Sequence, residues 1–400
     1  MTPHDFRRGD AATLASLLTA LRAQTLAQFA AVGDALGGRL DIAYAEEVNP
    51  PLWELGHVGW FEEFWIARNP ERQRGAAATV ESPRAASLLP PSDALYDSSR
   101  VPHARRWQLA LPDARRARDF LARGRERTLA LLRQAHGDDA SLYFFRLVLA
   151  HEAMHHEAGL MIAQGLGLPV PAPGPAAVPL RHDVAVAGTT LSVGRDDGGF
   201  SFDNELGTHD VEVSDFAIDS APLAWRDWLP FIEAGGYDDA RHWSDAGWAW
   251  RQRALPHGLP RHLARDDAFE HGFKRAAFGR WRGLDLGEPV LHVSAHEAQA
   301  WCGWAGRRLP SEHEWTLAAT RLGDAFHAGQ VWEWTASPFE GWPGFIAHAY
   351  RDYSSPWFDD RPVLKGGSFA TAPFMKDTRY RNFFVAGRND VFAGMRSCAL

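Results

Sequence analysis

Residues 151–157 read HEAMHHE, and how these seven residues are read decides both the fold and the chemistry. His151 and His155 stand one helical turn apart, so on a helix both imidazoles share a face and can reach one ion. The string also satisfies His-Glu-x-x-His, the zinc-peptidase pattern, with Glu152 in the position of the catalytic base. A peptidase of that type needs a third ligand downstream. No histidine occurs between His156 and His182, and the first acid after Glu157 is Asp183, beyond a Pro-rich stretch. The peptidase reading is therefore weak. Upstream, LWELGHVGWFEEFW (52–65) places His57 in another apolar, aromatic helical segment. Facing helices of a bundle converge such side chains on an interior site. His57, His151 and His155 are the expected ligand set, and three imidazoles leave open positions on a metal. Ligand type alone suits zinc or iron.

Around this stretch, helical periodicity predicts four helices, at Ala11–Ala35, Pro51–Ala67, Pro112–Gln134 and Ala140–Gly165. Together they imply a bundle over residues 1–167. The segment GLGLPVPAPGPAAVPL (165–180) excludes regular helix through its repeated Pro and Gly, and residues 168–180 are expected to be an extended connector. Beyond it, from 181 to 400, short apolar runs such as VEVSDFAI (211–218) alternate with Gly clusters. Two short helices are expected, at Trp225–Ala234 and Ser294–Trp304, with Ser311 and Glu314 forming a capping box for a further helix. That half reads as an irregular, loop-rich α+β domain.

Composition narrows the partners. Against 50 acidic side chains stand 42 basic ones, a formal net charge of −8, so no basic surplus points to nucleic acid. Met1–Asp10 lacks the apolar core of a signal peptide, and no apolar run reaches the roughly 18 residues of a membrane helix; a cytoplasmic location is the expectation. Cys302 and Cys398 are the only cysteines, which excludes a disulfide framework. The 17 tryptophans are expected mostly in the core, with aromatic faces also able to hold a cationic ligand.

With these residues in view, the chain resembles the non-heme iron enzymes of ergothioneine and selenoneine biosynthesis, which join a DinB-like helix bundle to a C-type-lectin-like domain similar to the formylglycine-generating enzyme. The marks in the first half are GHVGWFEEFW and HEAMHHE. In the second half they are FSFDNELGTHDVEV (200–213), FIEAGGYDDARHW (231–243), GWAGRRLPSEHEW (303–315), QVWEWTASPFEGWPGF (330–345), VLKGGSFAT (363–371), and RYRNFF followed by FAGMRSC (379–398). The resemblance implies an Fe(II) centre on His57, His151 and His155. It further implies O2-dependent attachment of sulfur or selenium to the imidazole carbon of hercynine, with Asn382 and Phe383 contacting substrate.

Three departures from the sulfoxide-forming relatives bear on the chalcogen donor. Met154 replaces a Gln that contacts the hercynine ring, Trp342 replaces a proton-donating Tyr, and Phe383-Phe384 replaces Trp-Asp, whose acid contacts the thiol donor's amine. Tyr350 or Tyr353 could take over proton donation. In YDSSRVPHARRW (96–107), Arg100, with Arg105 and Arg106, is either a carboxylate-holding group or a solvated charged face. The altered pocket resembles the selenoneine-forming branch, whose donor is a neutral selenosugar; the alternative donor is a thiol such as γ-glutamylcysteine or cysteine. Formylglycine generation, which needs a reactive cysteine pair, and a lectin-like binding module without catalysis are the competing readings.

Overall fold

Four helices of the first half begin at a residue whose side chain accepts from a free N–H group. In the computed structural model, which describes residues 2–400, α1 (Pro3–Arg8) starts with a Thr2–Asp5 capping box and Pro3 at its first position. Asp10 caps α2 (Ala11–Ala35) by accepting from Thr13 N–H. Pro51 opens α3 (Pro51–Glu62), which runs on through a π-helical turn over Glu63–Ala67. After the short α4 (Ser92–Tyr96), Asp113 and Asp138 cap α5 (Ala114–Leu132) and α6 (Asp139–Gly165). The four long helices fall within two residues of their expected limits. The short α1 has no counterpart in the sequence reading, and it docks on the second half rather than in the bundle. Phe6 packs on Phe200 and Phe374, and the buried Arg7 guanidinium forks onto Glu205 at 2.7 Å and reaches Asp377 at 2.9 Å.

Four charges lie at the centre of the bundle. Arg22 of α2 bonds Glu152 of α6 (2.7 Å) and Glu62 of α3 (2.6 Å), while Arg125 of α5 bonds Glu152 at 2.5 Å and Glu62 at 2.8 Å. All four side chains are buried. Burial alone would raise the Glu62 carboxyl, but the two guanidinium groups hold it down at about 2. Every member has opposite charge on both sides, the condition under which buried ions are tolerated.

Residues 168–182 carry no helix or strand, and their backbone is tied to the second half: Val178 N–H donates to Gly287 O, and Arg226 reaches the carbonyls of Val178 and Pro179. Beyond them come β1 (Asp183–Val186), β2 (Thr189–Val193), β3 (His209–Val213) and β4 (Phe216–Asp219). The apolar run 211–218 is thus two strands, broken where Asp215 accepts from Gly188 N–H. Then follow α7 (Trp225–Glu233), α8 (Asp245–Ala254), the hairpin strands β5 (Leu263–Arg265), β6 (Phe273–Ala277) and β7 (Arg280–Gly283), and α9 (Ala295–Ala305). The chain ends with β8 (Arg307–Arg308), α10 (Glu312–Leu322), β9 (Trp332–Pro338), β10 (Pro362–Lys365), β11 (Asn382–Phe383), β12 (Ala393–Gly394) and β13 (Cys398–Ala399). The two larger sheets have the orders β1-β4-β13-β8 and β11-β10-β9-β12. Gly306, in the left-handed region at φ 64°, ends α9, and Ser311 with Glu314 forms the capping box that starts α10. Trp225, Trp228, Trp301, Trp315, Trp332 and Trp334 are fully buried, so the tryptophan excess is largely core. Among the described residues no helix is long and apolar enough to cross a membrane.

Helix α6 also joins the halves. Its Glu157 accepts from Trp332 Nε1 (2.9 Å), Ser368 Oγ (2.5 Å) and Thr371 Oγ1 (2.8 Å), and Tyr143 OH meets His348 Nδ1 at 2.8 Å. Replacing Glu152 by Ala leaves Arg22 and Arg125 short of a partner in the bundle interior. The expected loss is about 3–5 kcal/mol, to be read from urea unfolding of the variant against the parent.

Candidate metal centre and adjoining cleft

Helices α3 and α6 bring His57, His151 and His155 together with their ligand atoms all within 4.8 Å of one another. This is the one such group of three or more His, Cys, Asp or Glu among the described residues. The rings crowd at centroid distances of 5.0 Å (57 to 151), 4.8 Å (57 to 155) and 4.3 Å (151 to 155). Burial pushes the His57 imidazole down to about 3, with the neighbouring His155 adding to the effect. Burial, followed by His155 and His57, pushes His151 well below the ordinary histidine range. Both are therefore neutral at physiological pH, the form that ligates a metal.

The groups behind the ligands fix their orientation. His57 Nδ1 donates to Tyr96 O at 2.8 Å, a tautomer set by that carbonyl which leaves Nε2 free. Trp53 stacks on the same ring at 4.7 Å and 12°. His155 Nδ1 meets Glu54 Oε2 at 2.5 Å. Burial would raise Glu54, but His155, then His57 and the Asn49 amide bring it down to about 2, so it is an ionised acceptor. Arg106 extends this chain by donating to Asn49 Oδ1 while its guanidinium lies 4.0 Å over Trp53. His151 stacks on Phe61 at 3.5 Å and 3°, and its Nε2 is buried with no hydrogen-bond partner. Three imidazoles, two oriented from behind and one with an orphaned buried nitrogen, fit a metal ion with open positions. Glu152 faces the arginine pair instead, so it is no base for a metal-bound water and the peptidase reading has no catalytic group.

A cleft of about 390 Å³ opens beside His155, walled by both halves of the chain, a volume that suits a small molecule. Met154, Asn382, Phe383, Phe384 and Tyr353 line it. Asn382 Oδ1 accepts from Phe383 N–H, which leaves its NH2 to donate. Phe383 stacks on Phe339 at 4.0 Å and Phe384 lies under Arg388. Tyr353 OH bonds Tyr380 OH at 3.3 Å, and burial pushes both phenols above their usual range. Tyr350 packs on Phe61 with its ring 6.4 Å from His151, outside the lining. Two expected substrate contacts lie elsewhere. Arg100 points to solvent, 80% exposed, beside Asp97. Trp342 packs against His209 and under Arg381, whose buried fork on Glu312 pins it there. Cys302 and Cys398 are buried, and burial pushes both thiols up to about 12, which removes the thiolate that formylglycine chemistry would need.

Sequence reasoning missed Glu54, Asn49, Glu157, Tyr380, Arg361 and Arg388, all lining the cleft. Glu54 carried a readable signal: it stands three residues before His57 on one helix face, where a carboxylate can orient a ligand.

Comparison with known proteins follows the same division. Residues 18–158 match the DinB superfamily and residues 170–327 the sulfatase-modifying factor enzyme 1-like domain. The first half is thus a DinB-like helix bundle and the second a C-type-lectin-like α+β domain. The chain is 33% identical over 412 residues to the hercynine oxygenase of Mycolicibacterium thermoresistibile, covering 88% of each chain. It is likewise 33% identical over 409 residues to that of Mycobacterium tuberculosis, covering 88% of this chain and 91% of the relative. The formylglycine-generating enzyme of Thermomonospora curvata is 32% identical over 149 residues, covering 34% of this chain and 48% of the relative.

Glu54→Gln keeps the side chain's shape but removes the charge behind His155. Metal affinity is expected to fall about 10- to 100-fold, measured by competition with a chromophoric chelator, with the far-UV circular dichroism unchanged.

Proposed function

The chain belongs to the hercynine oxygenase family, and from that premise we propose that it is an O2-dependent mononuclear non-heme iron enzyme that forms a carbon–selenium bond between hercynine and a selenosugar. The observation that carries the reading is that His155 of the three-histidine cluster lines a cleft whose lining also includes Asn382, Phe383 and Phe384. Iron(II) held by His57, His151 and His155 would supply O2 activation and a binding position for a soft chalcogen.

The remaining work falls to the protein. Glu54 and the Tyr96 carbonyl hold His155 and His57 in the ligating tautomer. Hercynine carries a permanent trimethylammonium cation, which aromatic faces hold without needing a proton; Tyr353, Tyr380, Trp332 and Phe383 offer such faces in the cleft. The Asn382 NH2 is free to donate to the betaine. Desolvation pushes the partly buried Tyr353 phenol well above its usual range, so it keeps its proton at neutral pH and can deliver one in the reaction while Tyr380 OH accepts its hydrogen bond at rest.

The selenium assignment is supported by the lining where a donor would enter. Phe384 offers no charge to an amino group, and Met154, Met161 and Met375 give the cleft soft, polarizable thioether surface. A thiol donor, γ-glutamylcysteine or cysteine, is the second reading; Arg361 in the lining favours it, since it could receive a donor carboxylate.

Incubation of iron-loaded protein with hercynine and 1-seleno-β-D-glucose, followed by air, is expected to yield selenoneine by mass spectrometry. Product only with a cysteine-type thiol moves the enzyme to sulfoxide formation. Tyr353→Phe is expected to lower kcat about 100-fold with little change in KM. An unchanged kcat would move proton donation to another group.

A further inference from the structure

We propose that Arg361 is the anion-recognition residue of the cleft, the side chain that receives the carboxylate of a substrate. The assignment rests on the hercynine reading and follows from where the charges of the cleft are already spent. The lining contains four acids and two arginines besides His155. Glu54 is matched by His155, Glu157 by three hydrogen-bond donors, Glu47 by Arg261 at 2.8 Å, and Asp390 by Arg388, which forks onto it with both bonds at 2.5 Å. The guanidinium of Arg361 is the remaining charge.

Its geometry suits that role. The plane of Arg361 lies 4.1 Å over the Trp357 ring, which stiffens the side chain. Asp360 Oδ1 comes within 3.2 Å of Nε, yet Nε makes no directed hydrogen bond, and that carboxylate is 64% exposed to water. No other acceptor among the described residues takes an Arg361 N–H, so the fork is open for a bidentate carboxylate. Arg361 immediately precedes β10, whose register sets Val363 against Phe383 and Leu364 against Asn382. It therefore belongs to the same wall as the free Asn382 amide. The loop expected to supply arginines to the cleft does not do so: Arg100 and Arg105 face solvent, and Arg106 is folded onto Trp53 and Asn49.

A carboxylate occurs in hercynine and in an amino-acid thiol donor, but not in a neutral selenosugar, so the test separates the two sources. Binding of hercynine and its methyl ester, and of cysteine and its methyl ester, is measured by calorimetry under anaerobic conditions on full-length iron-loaded protein. The wild-type protein is expected to prefer one acid over its ester about 10- to 100-fold. Arg361→Gln should abolish that preference, and Arg361→Lys should restore part of it, since a point charge without a fork is a poorer carboxylate partner. Loss of the hercynine ratio assigns the contact to the betaine, and loss of the cysteine ratio assigns it to the donor. Acid-to-ester ratios that are the same in Arg361→Gln as in wild type, with both proteins folded by circular dichroism, overturn the assignment alone. Wild-type protein that binds neither hercynine nor cysteine overturns the hercynine reading and this assignment with it.

Discussion

The two arginines and two glutamates at the centre of the bundle set the rotation of the helices that carry the ligands. His151 and Glu152 are adjacent on α6, about 100° apart around its axis, so a helix that offers Glu152 to Arg22 and Arg125 must turn His151 toward the neighbouring face. Glu62 places the same demand on α3, which carries His57 further back. Rotating either helix would strand a buried charge, whereas apolar contacts alone tolerate repacking at small cost. The imidazole cluster is thus held in place by ions on the adjoining faces of the helices that bear it.

A second constraint fixes the cleft. Helix α6 presents ligands on one turn and Glu157 on the next, and Glu157 is bound by donors from β9 and from the loop after β10. The Arg7 fork onto Glu205 ties the chain's first turn to the second half in the same manner. One helix therefore serves as the common reference for His151 and His155 and for the second-half residues that share the cleft with His155, tied to them by side chains as well as by the connector at 168–182.

Much of this was legible in the sequence because it depends on local period. Four helices follow from apolar spacing and from caps such as Asp113 and Asp138, and His57, His151 and His155 stand out as histidines on apolar helical faces. What escaped depends on non-local pairing. Helix α1 is too short to show a period, and its position is decided by Glu205 and Asp377, far along the chain. Trp342 and Arg100 occupy motif positions that suggest a pocket, but a buried arginine holds the first aside and solvent claims the second. Arg361 carries no motif; its openness is visible only once the partners of every other charge in the cleft are known.

The division of the site between the halves bears on how such an enzyme diversifies. The candidate metal ligands lie on two bundle helices under tight rotational constraint, while much of the cleft lining lies on short strands and loops near the other end of the chain. Reactivity and selectivity are therefore inherited on separate stretches of sequence. On the proposed reading, substitutions at 382–384 would alter what is accepted without disturbing the helices that carry the three histidines, so a lineage could change its substrates while its candidate metal centre stands unchanged.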